Sequence, residues 1–231
     1  MEQVRMKKNY TDITFVLDRS GSMETIWKDV EGGLSGFIAE NKKLPGEVRF
    51  TLVVFDTGGV DTVLNHVDIK AIEKIDLNAY RPRGGTPLYD AVGRTVNSLG
   101  SYLSGLAESA RPERVLFAIM TDGQENSSKE FRSETVKNMV KHQSDRYNWD
   151  FVYLGANQDA VFSGRELGIA AGNSIQYVAS KLGTAQAFDG ILECSTNYRL
   201  GNYAKGNFFN KKHVEENSVE SINSNEESSV V

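Results

Sequence analysis

Cysteine is almost absent from this 231-residue chain: Cys194 stands alone and cannot form an internal disulfide. A reducing, cytoplasmic setting is therefore the expectation. No apolar run approaches the ~18 residues of a membrane span, and MEQVRMKKNY at the N-terminus lacks the apolar core of a secretory signal. His66, His142 and His213 are scattered, with no zinc-like spacing. An excess of basic charge is missing as well. The net charge is −5, and residues 214–231 hold five glutamates (215, 216, 220, 226 and 227) without Lys or Arg, so residues 1–213 are neutral overall. A balanced body has no bulk attraction for nucleic acid or an anionic membrane. Its partner is expected to be chosen by a local site.

Several catalytic motifs are also missing. There is no GxxxxGK[ST], and the cluster Gly32-Gly33-Leu34-Ser35-Gly36 lies inside a helical pattern, where it cannot cradle phosphate directly after a strand. No GxSxG elbow is present. An aspartyl-phosphate enzyme would carry a second acid two residues after Asp18, where Ser20 stands. An EF-hand would carry glycine where Met23 stands. The sequence offers neither an evident nucleophile nor a general base, and no enzymatic activity is expected.

What is present is organised around Thr11 to Ser22, TDITFVLDRSGS, where an apolar run stops at an aspartate and two serines follow at alternate positions. Ile13 to Leu17 is the continuous apolar run of a strand covered on both faces. It would deliver Asp18, Ser20 and Ser22 to one loop, where short oxygen-bearing side chains can converge on a hard cation.

The remaining pattern alternates strands with helices. Ile26, Val30, Leu34, Phe37 and Ile38 mark a helix closed by Pro45-Gly46; Arg49 to Phe55 is a second buried-type strand. Val60 to Val67 suits an edge strand, close enough in sequence to form an antiparallel hairpin with it. A weak helix is expected over Ile69 to Ile75, then a turn-rich loop from Tyr80 to Pro87 and a strongly periodic helix from Leu88 to Leu106. Val115 to Met120 and Phe151 to Leu154 read as strands, Phe131 to Val140 and Val161 to Leu167 as helices. Ser174 to Val178 is a last short strand and Thr184 to Tyr198 a closing helix. This order predicts a doubly wound α/β fold: a mostly parallel six-stranded sheet with one antiparallel edge strand and helices on both faces. Ligands of such sheets sit beyond the carboxyl ends of the strands. The expected organisation is a lead-in over 1–10, one domain over 11–202 and a disordered acidic tail over 203–231.

Asp18-x-Ser20-x-Ser22, Gly85-Thr86 in a later loop and Thr121-Asp122-Gly123 at a strand end together resemble the von Willebrand factor A domain, across roughly Asp12 to Asn202. The resemblance includes the order and spacing of the strands and is closest to stand-alone bacterial and phage members. It implies a metal-ion-dependent adhesion site. Ser20 and Ser22 would ligate the cation through their hydroxyls, Thr86 directly or through water, while Asp18 and Asp122 would bond metal-bound waters. Mg²⁺ suits such a shell, with Mn²⁺ or Ca²⁺ as substitutes. The partner would be a protein presenting an Asp or Glu side chain to the cation. A Mg²⁺-dependent phosphoester hydrolase is the alternative use of the same ion.

Taken singly, Asp18 and Asp122 suit helix N-caps equally well, and Ser20, Ser22 and Thr86 suit turns; the joint occurrence favours the cation. If the two aspartates converge, their repulsion should raise one pKa. Asp56 either braces the site or is a turn residue, and Arg19 either shapes access or is solvated. Arg81 and Arg83 could attract an acidic partner, and Asn157 and Asp159 are rim candidates. Cys194, Trp27 and Trp149 are expected to be packing residues.

Overall fold

The computed structural model describes residues 6–156 and 159–209. Its sheet has the order β3-β2-β1-β4-β5-β6. The central strand β1 (Lys7–Asp18) lies parallel to both β2 (Glu47–Asp56) and β4 (Pro112–Thr121). On one side β4 is followed by β5 (Trp149–Ala156) and β6 (Ser174–Tyr177), both parallel. On the other, β3 (Gly59–Asp68) closes the sheet antiparallel to β2, as its position directly after a tight turn requires. The doubly wound α/β architecture expected from the alternating pattern is thus observed.

The helices cover both faces because each presents one apolar stripe. On one face α1 (Trp27–Lys43) and α5 (Lys181–Arg199) bury Leu34, Phe37, Phe188 and Ile191 against Phe15, Leu17 and Leu116. On the other, α2 (Leu88–Gly105), α3 (Ser133–Tyr147) and the short α4 (Ala160–Glu166) cover Val16, Phe117 and Tyr153. Every residue of β1 from Tyr10 to Asp18 is buried, which is why the strand reads as an apolar run. Gly33 is needed at the α1–α5 seam, since a Cβ there would lie 2.1 Å from the Phe188 ring.

Three boundaries differ from expectation. The weak helix over 69–75 is only a 3-10 turn, Ile69–Ala71. Beyond it Ile72, Ile75 and Leu77 are buried in the α1-side core, so apolar burial holds this segment down without a helix. The ordered body begins before residue 11, with β1 starting at Lys7, and continues past 202. Phe208 and Phe209 are buried in the core, and the Tyr203 hydroxyl donates to Asp150. Residues 210–231, including His213 and the glutamate-rich segment, lie outside the described residues.

His66, to which the sequence assigned no role, sits at an irregular point of the sheet. The β2–β3 register shifts around Thr51, and there His66 takes a positive φ of 49°. Its Nδ1 comes to 3.1 Å from Oδ2 of Asp12, a carboxyl that burial raises above the usual carboxylate range.

Candidate cation site

The carboxyl ends of β1 and β4 lie side by side, and their loops bring the flagged residues together. Asp18 closes β1 fully buried, with Oδ1 accepting from the Ser20 N–H at 2.7 Å and Oδ2 from the Thr121 hydroxyl at 2.6 Å. The chain then turns through a 3-10 segment, Gly21–Thr25. Ser20 Oγ lies 3.2 Å from Ser22 Oγ, and the Ser22 hydroxyl donates to Asp122 Oδ1 at 2.6 Å. Neither aspartate caps an α-helix, since α1 and α3 are preceded by Ile26 and Arg132.

Thr86 arrives on the separate loop before α2, which backbone bonds stitch to the first. Gly21 N donates to Gly84 O at 3.0 Å and Arg83 N to Arg19 O at 2.8 Å. Gly84 has a φ of 66°, left-handed backbone that disfavours a side chain, and Gly85 leaves room for Asn126 and Ser127. Asn126 holds Thr86 from the third loop: its Oδ1 accepts from Thr86 N at 2.9 Å, and its N donates to Thr86 O at 3.2 Å. The loops meet over Gly123. A Cβ there would lie 3.0 Å from Thr86 Oγ1, 3.8 Å from Ser22 Oγ and 3.9 Å from Asp18 Oδ2. Glycine thus leaves open a small space on which a hydroxyl from each of two loops and a carboxylate converge.

Burial pushes the Asp18 carboxyl up to about 6, against the opposing bonds from Thr121 and Ser20, with the charge of Asp122 adding to the rise. Asp122, half-buried, is also raised by burial. The elevation expected from repulsion between the two acids is therefore chiefly desolvation. Such a cluster can hold a small hard cation, because two carboxylates supply charge and three hydroxyls neutral oxygens. It is not a metal centre of His, Cys, Asp and Glu alone: among the described residues, no group of three or more of these is placed to hold a metal ion.

The surrounding residues divide differently from expectation. Arg19, between the candidate ligands, is neither solvated nor an access residue: it is buried, its Nη2 donating to Asp61 at 2.5 Å. Its Nε lies 3.0 Å from Asp56 Oδ2 without hydrogen-bond alignment, so that contact is an ion pair only. Asp56 is buried and also accepts from Arg83 Nε at 2.7 Å and Gly58 N at 2.5 Å, so it ties β2 to both loops. Arg81 is exposed beside Arg83. Asp159 caps α4, accepting from Phe162 N at 2.9 Å, and Asn157 lies outside the described residues. Trp27, Trp149 and Cys194 are buried as expected of packing residues.

Asp90, which sequence reasoning passed over, organises the third loop. Its carboxylate accepts from the N–H groups of Lys129, Glu130 and Phe131 at 2.8–2.9 Å. Burial alone would raise its pKa, but the three N–H groups outweigh it and hold the carboxyl below the usual range. Glu125 adds bonds from Tyr89 N, Ser127 N and Ser128 N. The only sequence signal was an acid in the first turn of a strongly periodic helix.

No protein-family model and no curated protein matches the sequence. In three dimensions the chain is similar to proximal thread matrix protein 1 from the mussel byssus, with a TM-score of 0.57 and 17% identity over 84% of this chain and 47% of that one. It is similar to the pilus adhesin SpaC of Lactobacillus rhamnosus GG, with a TM-score of 0.60 and 16% identity over 88% of this chain and 31% of that one. Manganese-loaded TRAP protein of Plasmodium vivax aligns with a TM-score of 0.50 and 18% identity over 69% of this chain and 63% of that one. The chain spans about half the length of the mussel protein it matches. Among the described residues no helix is long and apolar enough to cross a membrane. What the likeness establishes is the fold, a von Willebrand factor A-like doubly wound α/β domain.

Proposed function

We propose that this chain is a protein-binding module that uses a divalent cation, held by Asp18, Ser20, Ser22, Thr86 and Asp122, to capture an acidic side chain of its partner. The convergence of Thr86 Oγ1, Ser22 Oγ and Asp18 Oδ2 over Gly123 is the observation that carries this reading. Bound there, the cation would supply a Lewis-acidic position open to an external carboxylate. Mg²⁺ is the expected ion, with Mn²⁺ or Ca²⁺ as substitutes; the manganese carried by the TRAP neighbour is in keeping with a hard divalent ion. That the structural neighbours are a pilus adhesin and a matrix protein also favours binding over catalysis.

Each residue has a task in this reading. Ser20, Ser22 and Thr86 present neutral oxygens, Asp18 and Asp122 balance the charge, and Thr121 orients Asp18 through its hydroxyl. Cys194, buried with its thiol pushed up to about 12 by burial, is chemically quiet and suits the reducing cytoplasm. The test is a pull-down from lysate with Mg²⁺, with chelator, and with Asp18→Ala as bait. Partners retained only by the wild type with Mg²⁺ are expected. An identical partner set under all three conditions would contradict the proposal.

A further inference from the structure

Between β3 and the loop that precedes Thr86 lies a cleft of 520 Å³. Asp61 and Thr62 form one wall and residues 78–83 the other, with the buried Arg19 lining it from within. Three guanidinium groups and two carboxylates set its charge. Arg19 is spent on Asp61 and Asp56, its guanidinium held 5.6 Å from the centre of the Tyr80 ring. Arg83 spends only Nε, on Asp56, and its side chain is 65% exposed. Arg81 is exposed, and among the described residues no hydrogen bond or ion pair holds it. One positive charge is therefore left over at the mouth of the cleft, together with the outer donors of Arg83.

A guanidinium offers its donors as a planar fork that matches a carboxylate or a phosphate. The single surplus charge matches a carboxylate better than a doubly charged phosphate, and the neutral body adds no attraction for a polyphosphate chain. The cleft and the candidate cation cluster belong to one pair of loops. Ser20 has extended backbone, with φ −62° and ψ 165°, so it and Arg19 send their side chains different ways: Arg19 to Asp61, Ser20 to Ser22. On the facing loop Arg83 N donates to Arg19 O at 2.8 Å. Thr86 stands three positions after Arg83, at most about 11 Å along the chain. In an extended partner segment, side chains two residues apart share a face and their backbones lie about 7 Å apart.

We propose that the partner presents two acidic side chains, two residues apart on one extended segment, one to the cation and the other to Arg81 and Arg83 at the mouth of this cleft. This deepens the cation-dependent capture proposed above and rests on it. The cation supplies the main hold, and the two arginines select acidic pairs over lone acids.

The test measures fluorescence anisotropy of labelled Gly/Ser peptides carrying one glutamate, or two glutamates two residues apart, with Mg²⁺ and with chelator. The full chain is used as wild type, Arg81→Glu, Arg81→Ala with Arg83→Ala, and Asp18→Ala. With Mg²⁺ the wild type is expected to bind the paired peptide about fivefold more tightly than the single one. Both arginine variants should lose that margin while still binding the single-glutamate peptide, and Arg81→Glu should melt as the wild type does, since Arg81 holds nothing in the fold. Equal affinity of the wild type for the two peptides overturns the proposal while leaving the cation reading intact, provided that binding needs Mg²⁺. A margin that survives in both arginine variants overturns it as well. A margin unchanged by chelator and by Asp18→Ala overturns the joint engagement by removing the cation reading, and so does a wild type that binds neither peptide at millimolar concentration. Tighter, Mg²⁺-independent binding of an oligouridine through Arg81 would make the cleft a nucleic-acid surface and likewise overturn it.

Discussion

The Ser22 hydroxyl donates to Asp122 Oδ1 at 2.6 Å, joining two residues one hundred positions apart in the chain. That bond closes the cluster across β1 and β4, and a bound cation would compete for both groups. Asp122→Ala is expected to weaken Mg²⁺ binding at least about tenfold. Without Mg²⁺ its stability should stay within about 1 kcal/mol of wild type, since one hydrogen bond is lost and a partly desolvated carboxyl is relieved. Calorimetry and chemical denaturation check the two halves separately.

A pH dependence follows from Asp18. Its carboxyl is raised to about 6, so the folded protein holds this proton more tightly than the unfolded chain. The stabilisation from that proton is full below the ordinary carboxylate range and is lost as pH rises through about 6. A cation needs the ionised form, so the two effects oppose each other. The Mg²⁺-induced rise in melting temperature should be small near about pH 5 and full above about pH 7. An equal rise at both would argue against Asp18 as a participant.

Arg19 and Arg83 both pair with Asp56 but in different surroundings. The Arg19 side chain is 3% exposed and that of Arg83 65%, against a fully buried acid. Arg19→Ala is expected to destabilise by about 3 kcal/mol or more, because it leaves buried charge poorly compensated. Arg83→Ala should cost far less, because its exposed guanidinium is screened by solvent. Urea denaturation of the two variants decides this, and similar losses would contradict the assignment.

Asp90→Ala removes the acceptor of three backbone N–H groups, and a loss of about 3 kcal/mol is expected. The Asp90 carboxyl is held below the usual range, so its contribution is present above the ordinary carboxylate pKa and lost as pH falls through the depressed one. Amide hydrogen exchange at residues 129–131 should accelerate in the variant. Unchanged protection there would show that the loop is held by other means.

Ending the chain at residue 202 removes Phe208 and Phe209 from the core, where each is almost fully buried. At ~1.5–3 kcal/mol per buried aromatic side chain, the shortened chain should lose at least about 3 kcal/mol against the full one. Equal stability would place the end of the folded body at 202 after all.

These contrasts show what the sequence carried. The strands were legible because β1, β2, β4 and β5 are covered on both faces and so are dominated by apolar residues, with only a few buried polar ones such as Thr14 and Thr51. The candidate cluster was legible because its members are short oxygen-bearing residues, Asp18, Ser20, Ser22 and Asp122 at or just after the ends of β1 and β4 and Thr86 in a turn-rich loop before α2. Arg19 was not, because its burial depends on Asp56 and on Asp61, 42 positions away, and no local pattern records such a partner. Asp90 was hidden in the first turn of a helix, where an acid usually faces solvent, and Phe208 and Phe209 were hidden in a polar segment.

The most direct test of the central claim is the Mg²⁺-dependent change in melting temperature at neutral pH, measured for the wild type and for an Asp18→Ala, Asp122→Ala double variant. A clear rise in the wild type and none in the double variant is the expected result. An equal rise in both, or no rise in the wild type, would contradict a cation site at this end of the sheet.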